Sequence, residues 1–328
     1  MSVVAGCSLF NGVLLAADSR ITFGLPNGRR QYADIAQKLF PIAPGTAIGF
    51  VSNDVRLASL MVRGLLEQTH SRKRNDPVSL ALWMPRLLRA VRRWSERRTR
   101  TQAAYTAFLA ASVIRSKPNV IRRADVAALM NRIAFGNPLI QRNWIPPILV
   151  QILETPPTVE YVVLRGSGQG VLYTMESPDF VPRFYEPLRF TAIGTGRSVV
   201  RELDKIHDWI FAGDVGNHVV EAASFSDVLQ TFVRENGVDT VGGLCPLLRI
   251  DATLGGTMIR PFGGTYEVPV GGQRIQLAYE NDRWIQRNAT TGREVTLVMP
   301  WEVESFRNAG VFDDLDTAYQ DMYGHGPE

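Results

Sequence analysis

Apolar positions run almost unbroken through Val3–Leu9 and Gly12–Ala17, and the Phe10-Asn11-Gly12 step between them is a hairpin signal. Two strands buried on both faces fit that pattern, since a half-exposed strand alternates with period two. Residues Ile21–Asp34 are polar and turn-rich, with Pro26, Asn27 and Gly28, and read as a loop. Short strands follow at Lys38–Ile42 and Thr46–Val51 around the Ala43-Pro44-Gly45 turn. The spacing then changes to three and four. Val55, Leu57, Ala58, Leu60, Met61, Leu65 and Leu66 predict a helix to about His70, with Asn53 or Asp54 as its N-cap. Asp76-Pro77 opens a second helix that runs through Leu80, Leu87 and Val91 toward Arg98. Strand patterns return at Val159–Leu164, Gly170–Met175 and Arg189–Ile193. Helical patterns resume at Ser198–Phe211 and Ser226–Glu235, and strands at Gly243–Ile250 and Thr257–Pro261.

The order is strands, two helices, strands, two helices, strands. An α+β architecture of two face-to-face sheets, with a helix pair on each outer side, would bury every apolar face. Residues 1–262 form this domain, interrupted by an insertion at 99–157 with helical runs at Ala103–Ile114 and Ala124–Phe135. Residues 263–328 form a C-terminal extension. Its stretches Arg274–Tyr279, Trp284–Arg287 and Glu294–Val298 predict a small antiparallel sheet, with turns at Asn281-Asp282 and Thr291-Gly292. A helix is expected near Asp313–Met322.

Composition narrows the class. The 328 residues, 45% hydrophobic and 21% charged, describe a globular chain able to bury a large core. No apolar run is long enough to span a membrane, and no basic segment precedes a hydrophobic stretch as in a secretory signal. The two cysteines, Cys7 and Cys245, provide no disulfide framework, and a cytoplasmic location is expected. Arginines crowd between Arg86 and Arg100 without aromatics at stacking intervals, so they read as a solvated or subunit-facing helix and nucleic acid is not expected as a partner. His70, His207, His218 and His325 match no metal-ligand spacing, so no metal or other cofactor is expected.

Three residues near the start suggest chemistry. Ser2 would carry a free α-amine once Met1 is removed, Asp18 closes an apolar strand, and Lys38 opens another after a polar loop. A hydroxyl with its own amine as base, a cation that keeps the amine neutral and a carboxylate that holds the cation make a self-contained nucleophile. Lysine usage sharpens the choice. The chain has four lysines (Lys38, Lys73, Lys117 and Lys205) against 32 arginines, yet places a lysine where a compact charge is wanted.

The phrase Gly12-Val13-Leu14-Leu15-Ala16-Ala17-Asp18-Ser19-Arg20, the segment Lys38-Leu39-Phe40-Pro41-Ile42, and the distance back to the chain start resemble the N-terminus of proteasome β-type subunits. Those are members of the N-terminal nucleophile (Ntn) hydrolases. The resemblance implies a four-layer αββα sandwich over residues 2–98 and 158–262. It implies Ser2 as nucleophile in place of the family's threonine, with Asp18 and Lys38 as its partners. The oxyanion donors would be the backbone N–H groups of Ser52 or Asn53, although the family's glycine is absent there. Gly194-Thr195-Gly196 is similar to the family's Gly-Ser-Gly, which would put Thr195 beside the amine; a plain glycine turn ahead of a helix reads equally well. Asp239 resembles the family's Asp-x-x-Ser-Gly-Gly, one residue short and without the serine. Cleavage before Cys7 is a rival nucleophile scheme, but it would break the register to Asp18.

The resemblance implies hydrolysis of peptides or unfolded proteins through an acyl-enzyme, in a homo-oligomeric ring with a possible unfoldase partner. Amidase or acylase chemistry on small amides is an alternative on the same scaffold. A catalytically degenerate structural subunit is another.

Overall fold

The computed structural model describes residues 2–9, 12–24, 30–43, 45–52, 55–71, 80–93, 159–167, 169–207, 218–236, 241–253, 256–262, 265–267, 274–299 and 302. Met1, the insertion at 99–157, Asn53, Asp239 and the expected helix at Asp313–Met322 lie outside them. In chain order the elements begin with β1 (Val3–Leu9), β2 (Gly12–Ala17), β3 (Ile21–Gly24), β4 (Arg30–Ala33), β5 (Leu39–Ala43) and β6 (Thr46–Ser52). Helices α1 (Val55–Ser71) and α2 (residues 80–93) follow, then β7 (Val159–Ser167), β8 (Gln169–Glu176), β9 (Arg183–Tyr185) and β10 (Phe190–Gly194). A 3-10 turn, Arg197–Val199, runs into α3 (Val200–Lys205), and α4 (His218–Glu235) comes next. The chain continues with β11 (Leu247–Thr253), β12 (Gly256–Phe262), β13 (Thr265–Glu267), β14 (Arg274–Glu280), β15 (Arg283–Asn288) and β16 (Glu294–Thr296).

These elements make a mixed α+β fold built on antiparallel sheets. One five-stranded sheet has the order β10-β1-β2-β11-β12, and a second has the order β5-β6-β7-β8-β9. The burial of alternate side chains explains the unbroken apolar runs. Val3, Ala5, Cys7 and Leu9 of β1 join Leu14 and Ala16 of β2 in a cluster with Leu203 of α3 and Phe225 and Leu229 of α4. The intervening Val4, Val13, Leu15 and Ala17 pack instead with Leu39, Ala47, Val51 and Leu172 of the second sheet. That sheet turns its other face, Phe40, Ile48 and Tyr173, toward Met61 and Leu65 of α1 and Trp83 and Met84 of α2. A fully buried Leu or Phe contributes about 1.5–3 kcal/mol, so strands buried on both faces hold the sheets firmly together.

The stretch expected to be loop contains the hairpin β3–β4, with Ile21 opposite Ala33 and Thr22 opposite Tyr32. Its polar side chains hide the strand pattern, and among the described side chains its apolar anchoring is at one end. There Ile21 packs with Ile35, Ala36 and Val298. Helix α4 begins eight residues before the expected Ser226. The helix expected at Ser198–Phe211 opens with a 3-10 turn and continues into the short α3; residues 208–211 lie outside the described residues.

The C-terminal extension holds a four-stranded sheet in the order β13-β14-β15-β16. Asn281 and Asp282 both have positive φ, the conformation of a two-residue type I′ hairpin turn, so β14 and β15 pair as expected. Ile275, Leu277, Trp284 and Leu297 enter the same apolar cluster that joins the two large sheets. Among the described residues no helix is long and apolar enough to cross a membrane.

Candidate active site

Four strand ends meet at one end of the two large sheets. Antiparallel pairing of β1 with β2 sets Val4 against Ala17, which places Ser2 and Asp18 at the same end of that pair. In the second sheet Leu39 pairs with Gly49, and the Phe50 N–H donates to the Lys38 carbonyl at 3.2 Å. Lys38 and the C-terminal end of β6, where Ser52 sits half-buried, therefore lie together. Gly194, at the end of β10, ties the two sides together. A Cβ there would stand 1.8 Å from the Ser2 carbonyl oxygen and 3.3 Å from Val51 Cγ1, and its φ is +89°. Only glycine fits that close approach and backbone geometry.

Asp18 is the hub. Its Oδ1 accepts Lys38 Nζ at 2.8 Å and the Val3 N–H at 2.8 Å. Its Oδ2 accepts the Gly242 N–H at 3.2 Å and the Arg20 N–H at 3.3 Å. Lys38 Nζ also donates to the Arg20 carbonyl at 2.6 Å. Ser2, Asp18 and Lys38 are all buried, at 6%, 1% and 6% exposure. Burial pushes the Asp18 carboxyl above its usual range, opposed by the Lys38 charge and by the N–H groups of Val3 and Gly242. Burial likewise pulls Lys38 below the ordinary lysine value, opposed chiefly by Asp18 and then by Asp34. With four donors around it, Asp18 is built to bear charge, and Lys38 is a cation that gives up its proton more readily than a surface lysine.

Asp18 and Lys38 are in direct contact, and Ser2 is one peptide bond from the Val3 N–H that Asp18 accepts. Thr195 Oγ1 donates to the Ser2 carbonyl at 3.5 Å, beside the backbone of the candidate nucleophile. Ser52 closes β6, one residue after the Val51 that faces Gly194; Asn53 and Asp239 lie outside the described residues. Cys7 is buried in mid-strand between Phe190 and Leu14, in the cluster facing α4. Burial, with Asp18 adding to it, pushes the Cys245 thiol well up, so that thiol stays protonated beside the site.

Two contributors were not singled out from the sequence. Gly242 and Gly243 are the Gly-Gly that follows Asp239 in the shortened motif, and Gly243 also opens the strand predicted over Gly243–Ile250. Gly242 donates to Asp18, while Gly243, at φ +77°, lies against Ser19 Oγ and the Asp34 side chain, where a Cβ would come within 2.3 Å. Arg20 is the second. Its Nε and Nη2 donate to Asp34 at 2.7 and 3.0 Å, and its guanidinium lies 4.2 Å from the Tyr32 ring centroid. The Asp18-Ser19-Arg20 string marks the arginine, but its partner lies across a hairpin that the polar sequence concealed.

Among the described residues, no three His, Cys, Asp or Glu side chains cluster so as to hold a metal ion. The arrangement is suited to lowering the proton affinity of a hydroxyl or amine placed near Lys38. No protein-family model matches the chain, and no curated protein matches it.

Proposed function

We propose that the protein is a proteasome-like N-terminal serine hydrolase that cleaves peptide bonds, with Ser2 as nucleophile once Met1 is removed. The observation that carries the proposal is the Asp18 carboxylate, which accepts Lys38 Nζ and the N–H of Val3, the residue after Ser2, both at 2.8 Å. The succession of helices, two sheets and helices supports placing the fold among Ntn-hydrolase sandwiches.

In this scheme Lys38, held by Asp18, keeps the Ser2 amine neutral by its charge. The amine takes the Ser2 Oγ proton as Oγ bonds to the substrate carbonyl carbon, and N–H groups at the end of β6 face the oxyanion. Collapse breaks the C–N bond, and the amine's proton goes to the departing amine. Water then adds to the Ser2 ester, delivers one proton to the amine and releases the acid as Oγ regains a proton. The resemblance also carries the expectation of a homo-oligomeric ring, which sedimentation of the purified chain would test.

Turnover of fluorogenic peptides is the direct assay. Ser2→Ala and Lys38→Ala should each abolish it while leaving the fold's circular dichroism unchanged; activity surviving in either variant contradicts the mechanism. Wild type that cleaves small amides but not peptides would replace peptidase with amidase on the same residues.

A further inference from the structure

The C-terminal extension touches the site through the segment that bears Lys38. Residues 34–39 are pinned from two sides. On one side Leu39 pairs with Gly49 of β6. On the other, the Gln37 N–H donates to the Val298 carbonyl at 2.9 Å, and the Val298 N–H donates to the Ile35 carbonyl at 2.6 Å. Two buried amides complete the attachment. Gln37, 1% exposed, accepts the Trp284 N–H at 3.3 Å and donates to the carbonyls of Leu39 and Asp282 at 3.3 and 3.4 Å. Its side chain thus joins the β14–β15 hairpin to the residues on either side of Lys38. Gln286 of β15, fully buried, donates to the Asp34 carbonyl at 3.0 Å. Asp34 in turn holds Arg20 through its carboxylate, and the Arg20 carbonyl receives Lys38 Nζ at 2.6 Å. A connected series of hydrogen bonds runs from the C-terminal sheet to the lysine ammonium.

Buried glutamines are costly unless paired. Two of them converging on one six-residue segment is more than apolar docking requires, because Ile275, Leu277, Trp284 and Leu297 already seat the sheet on the core. We propose that the C-terminal sheet is a positioning element for Lys38, with Gln37 and Gln286 as its positioning residues. The inference rests on the proposed function for its catalytic meaning, but the placement of Lys38 can be read without turnover.

The test uses the full chain with 13C-labelled lysine, whose four lysines give four sets of side-chain signals. Lys38→Arg assigns one of them. The titratable groups that act on Lys38 are Asp18, Asp34 and the Cys245 thiol, so its titration reports on this site. Gln286→Met and Gln37→Met remove an amide while keeping side-chain length; Gln276→Met, on the exposed face of β14, is the control. The expected result is a changed chemical shift and titration midpoint for Lys38 in Gln286→Met or Gln37→Met, whichever folds, with Gln276→Met matching wild type. In peptide turnover the same variants should lose roughly 100-fold in kcat with little change in KM, as a displacement of ~1 Å at a reacting group does. A Lys38 signal unchanged in a folded Gln286→Met or Gln37→Met variant overturns the positioning role, even if wild type is an active hydrolase. Wild type without hydrolysis but with a Lys38 signal that moves in these variants sinks the proposed function and leaves the positioning role standing.

Discussion

Asp18 and Lys38 form an ion pair from which water is largely excluded, and such a pair is seldom kept for stability alone. Two charges brought out of water lose several kcal/mol of solvation each, which mutual attraction only partly offsets. Removing one partner should therefore cost more than removing both. Asp18→Asn is expected to destabilise the fold by about 3 kcal/mol, whereas Asp18→Asn with Lys38→Met should recover most of that loss; urea denaturation of wild type, both single variants (Asp18→Asn and Lys38→Met) and the double variant measures the cycle. The shifted lysine also shapes the rate. Activity should rise with pH as the Ser2 amine loses its proton, from an unperturbed value of about 7.7–8.0. It should fall again when Lys38 deprotonates, at a pH below the usual lysine value of about 10.4 because burial favours the neutral form. A pH profile of kcat with no basic limb below that value would count against Lys38 as the governing cation. The pairing of Asp18 with Lys38 was legible because each stands at a strand end, one directly after β2 and the other directly before β5. Gly242 was not read as a donor to Asp18, because it acts through a backbone N–H from 224 residues away and leaves no side-chain signature.

Among the elements, the strands buried on both faces were the easiest to read, since β1 and β2 carry a single polar side chain, Ser8, to blur them. The β14–β15 hairpin was legible from Asn281-Asp282, whose positive φ values two L-residues adopt only in a few turn types. The β3–β4 hairpin was missed because side chains such as Thr22 and Tyr32 do not alternate cleanly between apolar and polar. Strand β9 was also missed; it is three residues long at a sheet edge, too short for a period to register. At the end of β10 the conformation of Gly194 sets where Ser2 sits. Gly194→Ala should destabilise by more than ~1 kcal/mol, because the native φ is unfavourable for alanine and its Cβ would strike the Ser2 carbonyl. Peptide turnover should fall with it, as Ser2 is displaced; full activity with unchanged stability would show that the β10 end does not constrain Ser2.

On the scale of the molecule, the order of strands and helices was legible, but the attachment of the C-terminal sheet was not. Sequence patterns mark which face of an element is apolar, not which other element it meets, and Trp284 and Leu297 turn out to share a cluster with Val4 and Leu15. Trp284 is fully buried there, and Trp284→Ala should cost about 3–5 kcal/mol, measurable as a lower denaturation midpoint. A much smaller loss would mean that the sheet is an appendage rather than part of the core. The sheets, the helices and this third sheet together hold the Asp18–Lys38 pair against the backbone N–H that follows Ser2, and the central claim is that Ser2 is the nucleophile. The most direct measurement is mass spectrometry of the N-terminal peptide after incubation with a peptide epoxyketone, which must react with a hydroxyl and the amine on the same residue. The account predicts a chain beginning at Ser2 that carries one inhibitor on that residue. Retention of Met1 with no inhibitor attached would contradict it.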